Sequence, residues 1–169
     1  MNKKNICFLL GGFEGNGGIA RVTSIILDEL EKSSYYNLYT ISYCKSNEPI
    51  LCNIPQNVIQ YYLMDEFHGI FDAILKEKII DKIHNYLFEN NIDVIIACGA
   101  LYFPISILSS LGTKAMVYCW EHTSPKISND YRFQNLCRII GVIGCDKMIV
   151  ITKETENYYL EHFKINKKS

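Results

Sequence analysis

Six short runs of almost wholly apolar residues punctuate the chain: Ile6 to Leu10, Leu38 to Cys44, Val58 to Leu63, Val94 to Cys98, Ala115 to Cys119 and Met148 to Ile151. None alternates strictly between apolar and polar positions, which is the pattern of strands buried on both faces, as in a parallel sheet. Between the runs the period changes. Ile19, Val22, Ile26 and Leu30 recur three and four residues apart, as do Phe71, Ile74 or Leu75, Ile79, Ile83 and Leu87, and each set marks one stripe of a helix. Segments 102–111, 131–143 and 153–163 are further helix candidates, with Thr152 placed to cap the last and Glu154 and Glu156 near its positive end. Residues 45–57, broken by Pro49 and Pro55, read as a loop. The order β-α-β-β-α-β-α-β-α-β-α predicts an α/β fold: a Rossmann-like, doubly wound, mostly parallel sheet with helices on both faces, in one domain over 1–169.

Ligands of such sheets bind in the crevice beyond the carboxyl ends of the strands. Residues just after each strand are therefore the functional candidates. They are the loop 11–18, the stretch Gly99 to Tyr102, and the stretch 120–129, which contains Glu121, His122 and Thr123. The first, GGFEGNGGIARV, places five glycines in eight positions ahead of a helix. A P-loop is excluded, because no Lys-Ser or Lys-Thr follows the glycines. The dinucleotide fingerprint is present in letters as Gly15, Gly17 and Ala20, but it begins four residues beyond the strand and the acidic residue expected about 20 residues on is missing. A helix starting near Gly18 would present free N–H groups and a positive dipole end to the crevice, which suits a phosphate or a crowded polar ligand. The alternative is that the glycines merely permit a sharp strand-to-helix turn.

Composition narrows the partners. With 17 basic and 18 acidic residues the net charge is -1, so nothing global favours nucleic acid. Seven cysteines lie in or near apolar runs without a C-x-x-C pair, which reads as small buried side chains in a reducing cytosol and neither a disulfide framework nor a zinc site. His68, His84 and His162 lack paired ligand spacing, so no metal is expected. The apolar start is too short for a signal peptide and no stretch is long enough to span a bilayer, so the expected location is cytoplasmic. His122, after an apolar strand and beside Glu121, could orient a ligand hydroxyl or steady charge at a leaving group; equally, it could only pack on Trp120. Glu121 reads either as a base or as a cap for its loop. Lys126, Arg132 and Arg138 flank Phe133, Ile139 and Ile140 on a candidate helix, a face able to rest on anionic lipid or simply to face water.

Three stretches together resemble the family-four retaining glycosyltransferases of the GT-B fold. GGFEGNGGIARV is similar to their first loop, DVIIACGALYFPISILSSLGTKAMVYCWEH to their strand, helix and strand ending in a histidine loop, and CDKMIVITKETENYYLEHF to the last strand and helix of their N-terminal domain. The resemblance implies an acceptor-side domain that works opposite a second domain holding most of a nucleotide-sugar donor. It implies that the loop with Asn16, Gly17, Gly18 and Arg21 approaches the donor phosphates, and that His122 lies near the transferred sugar with Glu121, Thr123, Gly99 and Tyr102 toward the acceptor. No metal or other cofactor is implied, and the chain has no Asp-x-Asp. The implied partners are a nucleotide sugar and a saccharide or lipid-linked acceptor, with peripheral membrane contact, in bacterial surface polysaccharide synthesis. The family's Glu-x7-Glu pair is missing, so the resemblance implies an N-terminal half that is inactive without its donor-binding domain. A nucleotide-binding epimerase or oxidoreductase, or a non-catalytic binding module, are the alternative readings.

Overall fold

A computed structural model describes residues 3–14, 17–45, 49–65, 78–124 and 131–163. Its strands are β1 (Lys4–Leu10), β2 (Tyr36–Cys44), β3 (Ile59–Met64), β4 (Val94–Cys98), β5 (Met116–Glu121) and β6 (Lys147–Val150). The helices are α1 (Gly18–Glu31), α2 (Ile79–Glu89), α3 (Phe103–Ser110), α4 (Tyr131–Gly144) and α5 (Lys153–His162), with a 3-10 turn at Ala100–Tyr102 leading into α3. All six strands are parallel and ordered β3-β2-β1-β4-β5-β6, the doubly wound Rossmann arrangement. Each predicted strand is present. The fifth runs two residues further than its apolar run suggested and takes Trp120 and Glu121 into the sheet.

Two apolar layers sandwich the sheet. On one side Phe8, Leu10, Cys98 and Trp120 pack with Ala20 and Leu27 of α1. On the other, Leu9, Ile95, Ala97, Val117 and Cys119 pack with Ile79, Ile83 and Leu87 of α2 and with Phe103 and Ile105 of α3. The α2 stripe lies as the periodicity requires; its predicted extension through Phe71 and Ile74 or Leu75 falls outside the described residues. The α1 stripe is turned from the predicted one. Ala20, Thr23, Ser24 and Leu27 are buried, Ile19, Ile26 and Leu30 flank them, and Val22 is 40% exposed. Small side chains bring this helix close to the sheet, so the larger aliphatics sit beside the contact line. Thr152 caps α5 as its sequence indicates, its Oγ1 accepting from the Thr155 N–H at 3.1 Å.

Helix α4 packs against α3 through a glycine. A Cβ on Gly141 would lie 2.6 Å from Cδ2 of the buried Phe103 ring. This contact sets how closely the two helices approach.

Candidate active site

The register sets the height of the strand ends. Leu9 pairs with Ala97, and Cys98 with Trp120, so Gly11, Gly99 and Glu121 stand at one level, one strand apart. At about 4.8 Å per strand, the β1 and β5 ends are roughly 10 Å apart. The chain reverses its winding between β1 and β4, which is where a ligand crevice is expected. A crevice of about 300 Å³ lies there, lined among others by Ile19, Gly99, Tyr102, Thr123, Ser124 and Gln134. First-turn residues of α1 and the loop after β5 thus share one cavity.

Gly99 has φ +113°, a backbone state that side chains rarely adopt, which lets β4 turn directly into Ala100–Tyr102. That turn places the Tyr102 hydroxyl only 3.2 Å from where a Cβ on Gly11 would stand. Burial pushes the Tyr102 phenol well above its ordinary range, so it is a neutral hydroxyl at working pH.

Gly17 and Gly18 differ from these glycines. Gly17 has φ -65°, and its nearest Cβ neighbour would be Ala20 at 3.9 Å; a Cβ on Gly18 would meet nothing within 4 Å among the described residues. Neither packing nor dihedral angle requires glycine at either position. Gly17 is the N-cap without a side-chain cap, and Arg21 is the first residue whose N–H returns to it, at 3.1 Å, so the N–H groups of Gly18, Ile19 and Ala20 have no acceptor within the helix. Arg21 is exposed and lines a second groove of about 590 Å³ between α1 and residues 51–53, with Gly17 at its rim. Asn16 lies outside the described residues.

His122 rests on Trp120 with ring centroids 4.1 Å apart, on the α1 side of the sheet. Its Nε2 is buried without a hydrogen-bond partner among the described residues. Burial lowers the imidazole pKa below its ordinary value and outweighs the opposing pull of the Glu121 charge, so the ring is neutral near pH 7.

Glu121 points to the opposite layer, as the alternation with Val117 and Cys119 dictates. It has no exposed surface and accepts four bonds. Oε2 takes Arg138 Nε at 2.7 Å and the Tyr159 hydroxyl at 2.8 Å; Oε1 takes the Thr123 N–H at 3.1 Å and Thr123 Oγ1 at 2.9 Å. Arg138 is fully buried and donates through Nη2 to Gln134 Oε1 at 3.4 Å, while Nη1 has no partner among the described residues. Burial pulls the guanidinium pKa down, but the bonds and charge of Glu121 outweigh it and hold the group protonated. This corrects the expected outward placement of Arg138, toward lipid or water, since a buried carboxylate draws it inward. The outward stripe of α4 is instead Leu136, Ile139 and Ile143, exposed by 51%, 39% and 81%, beside exposed Arg132; Phe133 and Ile140 are half-buried, and Lys126 lies outside the described residues.

Sequence reasoning missed Tyr159 and Gln134, placed Arg138 on an outward face, and took in Ser124 only as part of the stretch 120–129. The alternation along β5 was the available signal, since it sends Glu121 into an apolar layer where a carboxylate needs a cation. Of the seven cysteines, Cys7, Cys98, Cys119 and Cys137 are buried, and none of the seven forms a disulfide. His68 lies outside the described residues. Among the described residues no cluster of His, Cys, Asp and Glu could hold a metal ion, and no helix is long and apolar enough to cross a membrane.

No protein-family model matches the chain. An uncharacterized glycosyltransferase of Haemophilus influenzae is 23% identical over 171 residues, covering 96% of this chain and 45% of that protein. Among solved structures, the lipopolysaccharide outer core galactosyltransferase WaaB superposes with a TM-score of 0.70 at 15% identity, over 92% of this chain and 42% of that one. A Listeria monocytogenes protein provisionally assigned as a UDP-N-acetylglucosamine 2-epimerase gives 0.67 at 12% identity, over 98% and 44%. Sucrose-phosphate synthase of Thermosynechococcus elongatus gives 0.59 at 11% identity, over 95% and 82%. This chain, which spans about half the length of the curated relative it matches, has the Rossmann-like fold of the GT-B glycosyltransferases and resembles their N-terminal domain.

Proposed function

We propose that this chain is the acceptor-side domain of a glycosyltransferase that moves a sugar, with retention, from a nucleotide-sugar donor to a saccharide or lipid-linked acceptor. One observation carries the reading: Gly17 and Gly18 are bare where the fold does not need them to be, at a helix start that opens beside the switch-point crevice. A side chain there would cost the fold little but would keep a ligand off the free N–H groups. The phosphates of a donor held by a second domain would approach these groups. His122, neutral and with its Nε2 unspent, would accept or orient a hydroxyl of the transferred sugar, and Thr123, Gly99 and Tyr102 would face the acceptor. In this reading the chain works inside the cell, in bacterial surface polysaccharide synthesis, and is inactive without its donor-binding half. The outward apolar stripe of α4 with Arg132 supports contact with a membrane carrying a lipid-linked acceptor.

The likeness to the Listeria protein favours a second reading, a nucleotide-sugar epimerase. Titrations followed by amide chemical shifts separate the main reading from dinucleotide enzymes: saccharide acceptors should shift Gly99, Thr123 and Ser124, whereas tight stoichiometric binding of NAD would reject glycosyl transfer. In a complete two-domain protein, His122→Ala should lower turnover by roughly 10²- to 10⁴-fold. Unchanged turnover would remove His122 from the reaction. Net hydrolysis or epimerisation of the donor in the absence of any acceptor product would favour the epimerase.

A further inference from the structure

Among the described ion pairs, Glu121–Arg138 is the one with no exposure on either side, and its bonds reach in two directions. Two of the four bonds received by Glu121 come from α4 and α5. The other two come from Thr123, an exposed residue in the crevice wall. Gln134, the second partner of Arg138, lines the same crevice. A pair serving only the core would not need the loop. Here one sealed carboxylate joins the crevice to two helices, and with no exposed surface it has no route to abstract a substrate proton.

We propose that Glu121 is a positioning residue: through Thr123 on one oxygen and through Arg138 and Tyr159 on the other, it sets the crevice wall Thr123–Ser124, so that α5 and this wall move as one unit. What the wall is positioned for rests on the acceptor-site reading above. The linkage itself does not.

Hydrogen exchange on this chain, without ligand, tests it. Tyr159→Phe keeps the ring and removes one donor to Oε2. Loosening the carboxylate should speed exchange of the Thr123 amide by roughly 10- to 100-fold, the loss expected for one bond to a charged group, and by clearly more than the amides of Leu9 and Ile95 in the core. Thr123→Val, which removes the Oγ1 donor, should alter the emission of Trp120, the single tryptophan, by releasing the stacked His122; Thr123→Ser should restore it. Equal acceleration of Thr123 and the core amides would mean that the pair only stabilises the fold, and would overturn the proposal. So would an unchanged Thr123 amide in folded Tyr159→Phe. Because nothing is bound in these measurements, failure of the acceptor-site reading leaves their outcome standing, and the reverse is equally true.

Discussion

Replacing the two members of the buried pair separately should have unequal costs. Glu121→Leu leaves a guanidinium with no exposed surface and without its carboxylate, facing only the uncharged Gln134 Oε1, at 3.4 Å, and Tyr159 hydroxyl among the partners described for it. Stranding a buried charge in this way costs about 3–5 kcal/mol. For a chain of this size that corresponds to a fall in Tm of roughly 6–20 °C. Arg138→Met strands the carboxylate instead, but the Tyr159 hydroxyl at 2.8 Å and both Thr123 donors remain, so the charge keeps three of its four bonds. Its cost should be closer to about 1–3 kcal/mol. In the double variant Glu121→Leu/Arg138→Met neither charge is present, and apolar replacement of a buried pair is often neutral. The double variant should therefore be more stable than Glu121→Leu alone. Chemical denaturation at pH 7, followed by far-ultraviolet circular dichroism, gives all three values. An Arg138→Met cost above that of Glu121→Leu, or a double variant as unstable as the sum of the singles, would refute the view that an uncompensated cation dominates.

Three further outcomes follow from other sites. The pKa of His122 is lower in the folded than in the unfolded chain, so below about pH 6.5 the unfolded chain takes up a proton that the folded chain refuses. The contribution of His122 is complete above that pH and is lost as pH falls through the folded pKa. Tm measured from pH 7.5 to 5 should fall less in His122→Gln than in the wild type; parallel curves would show that the imidazole is not held neutral. Gly99→Ala should lose about 1–3 kcal/mol from backbone strain at φ +113°, with ordinary space for the methyl group, Ile19 Cδ1 being 3.6 Å away; an unchanged thermal midpoint would show that the turn relaxes freely. Gly141→Ala should destabilise although alanine favours a helix by about 1 kcal/mol, because the methyl meets Phe103 at 2.6 Å. A stabilised variant would mean that α4 can back away from α3.

Most of the fold was legible because parallel strands are buried on both faces and so stand out as unbroken apolar runs, of which Val94 to Cys98 is the clearest. The candidate crevice was legible as a set of strand ends, since topology alone places Gly11, Gly99 and Glu121 along one edge. Orientation was harder. Arginine on a helix with apolar neighbours ordinarily faces water, and nothing local to 131–144 reveals that Cys137, Arg138 and Gly141 form its inner side while Leu136, Ile139 and Ile143 face out. The reason lies in Glu121, on a different element, and in Tyr159, 38 residues beyond it. Likewise, the identity of Gly17 and Gly18 could not be separated from that of Gly99 by composition. The distinction lies in dihedral angle and free space, which only coordinates supply.

The sheet order also dictates when the molecule can become whole during synthesis. Strands β1, β2 and β3 form a contiguous N-terminal half, but β1 waits for β4 on its other edge, where the Asn5 N–H reaches Asp93 across 88 residues. Between the emergence of Met64 and Cys98 about 34 residues must be added, roughly 2–7 s at ordinary elongation rates. For that interval the central strand presents an unpaired apolar edge to the nascent chain's surroundings. A sheet wired from its middle outward is therefore most exposed to misassociation between the synthesis of its third and fourth strands, before the crevice at the switch point can form.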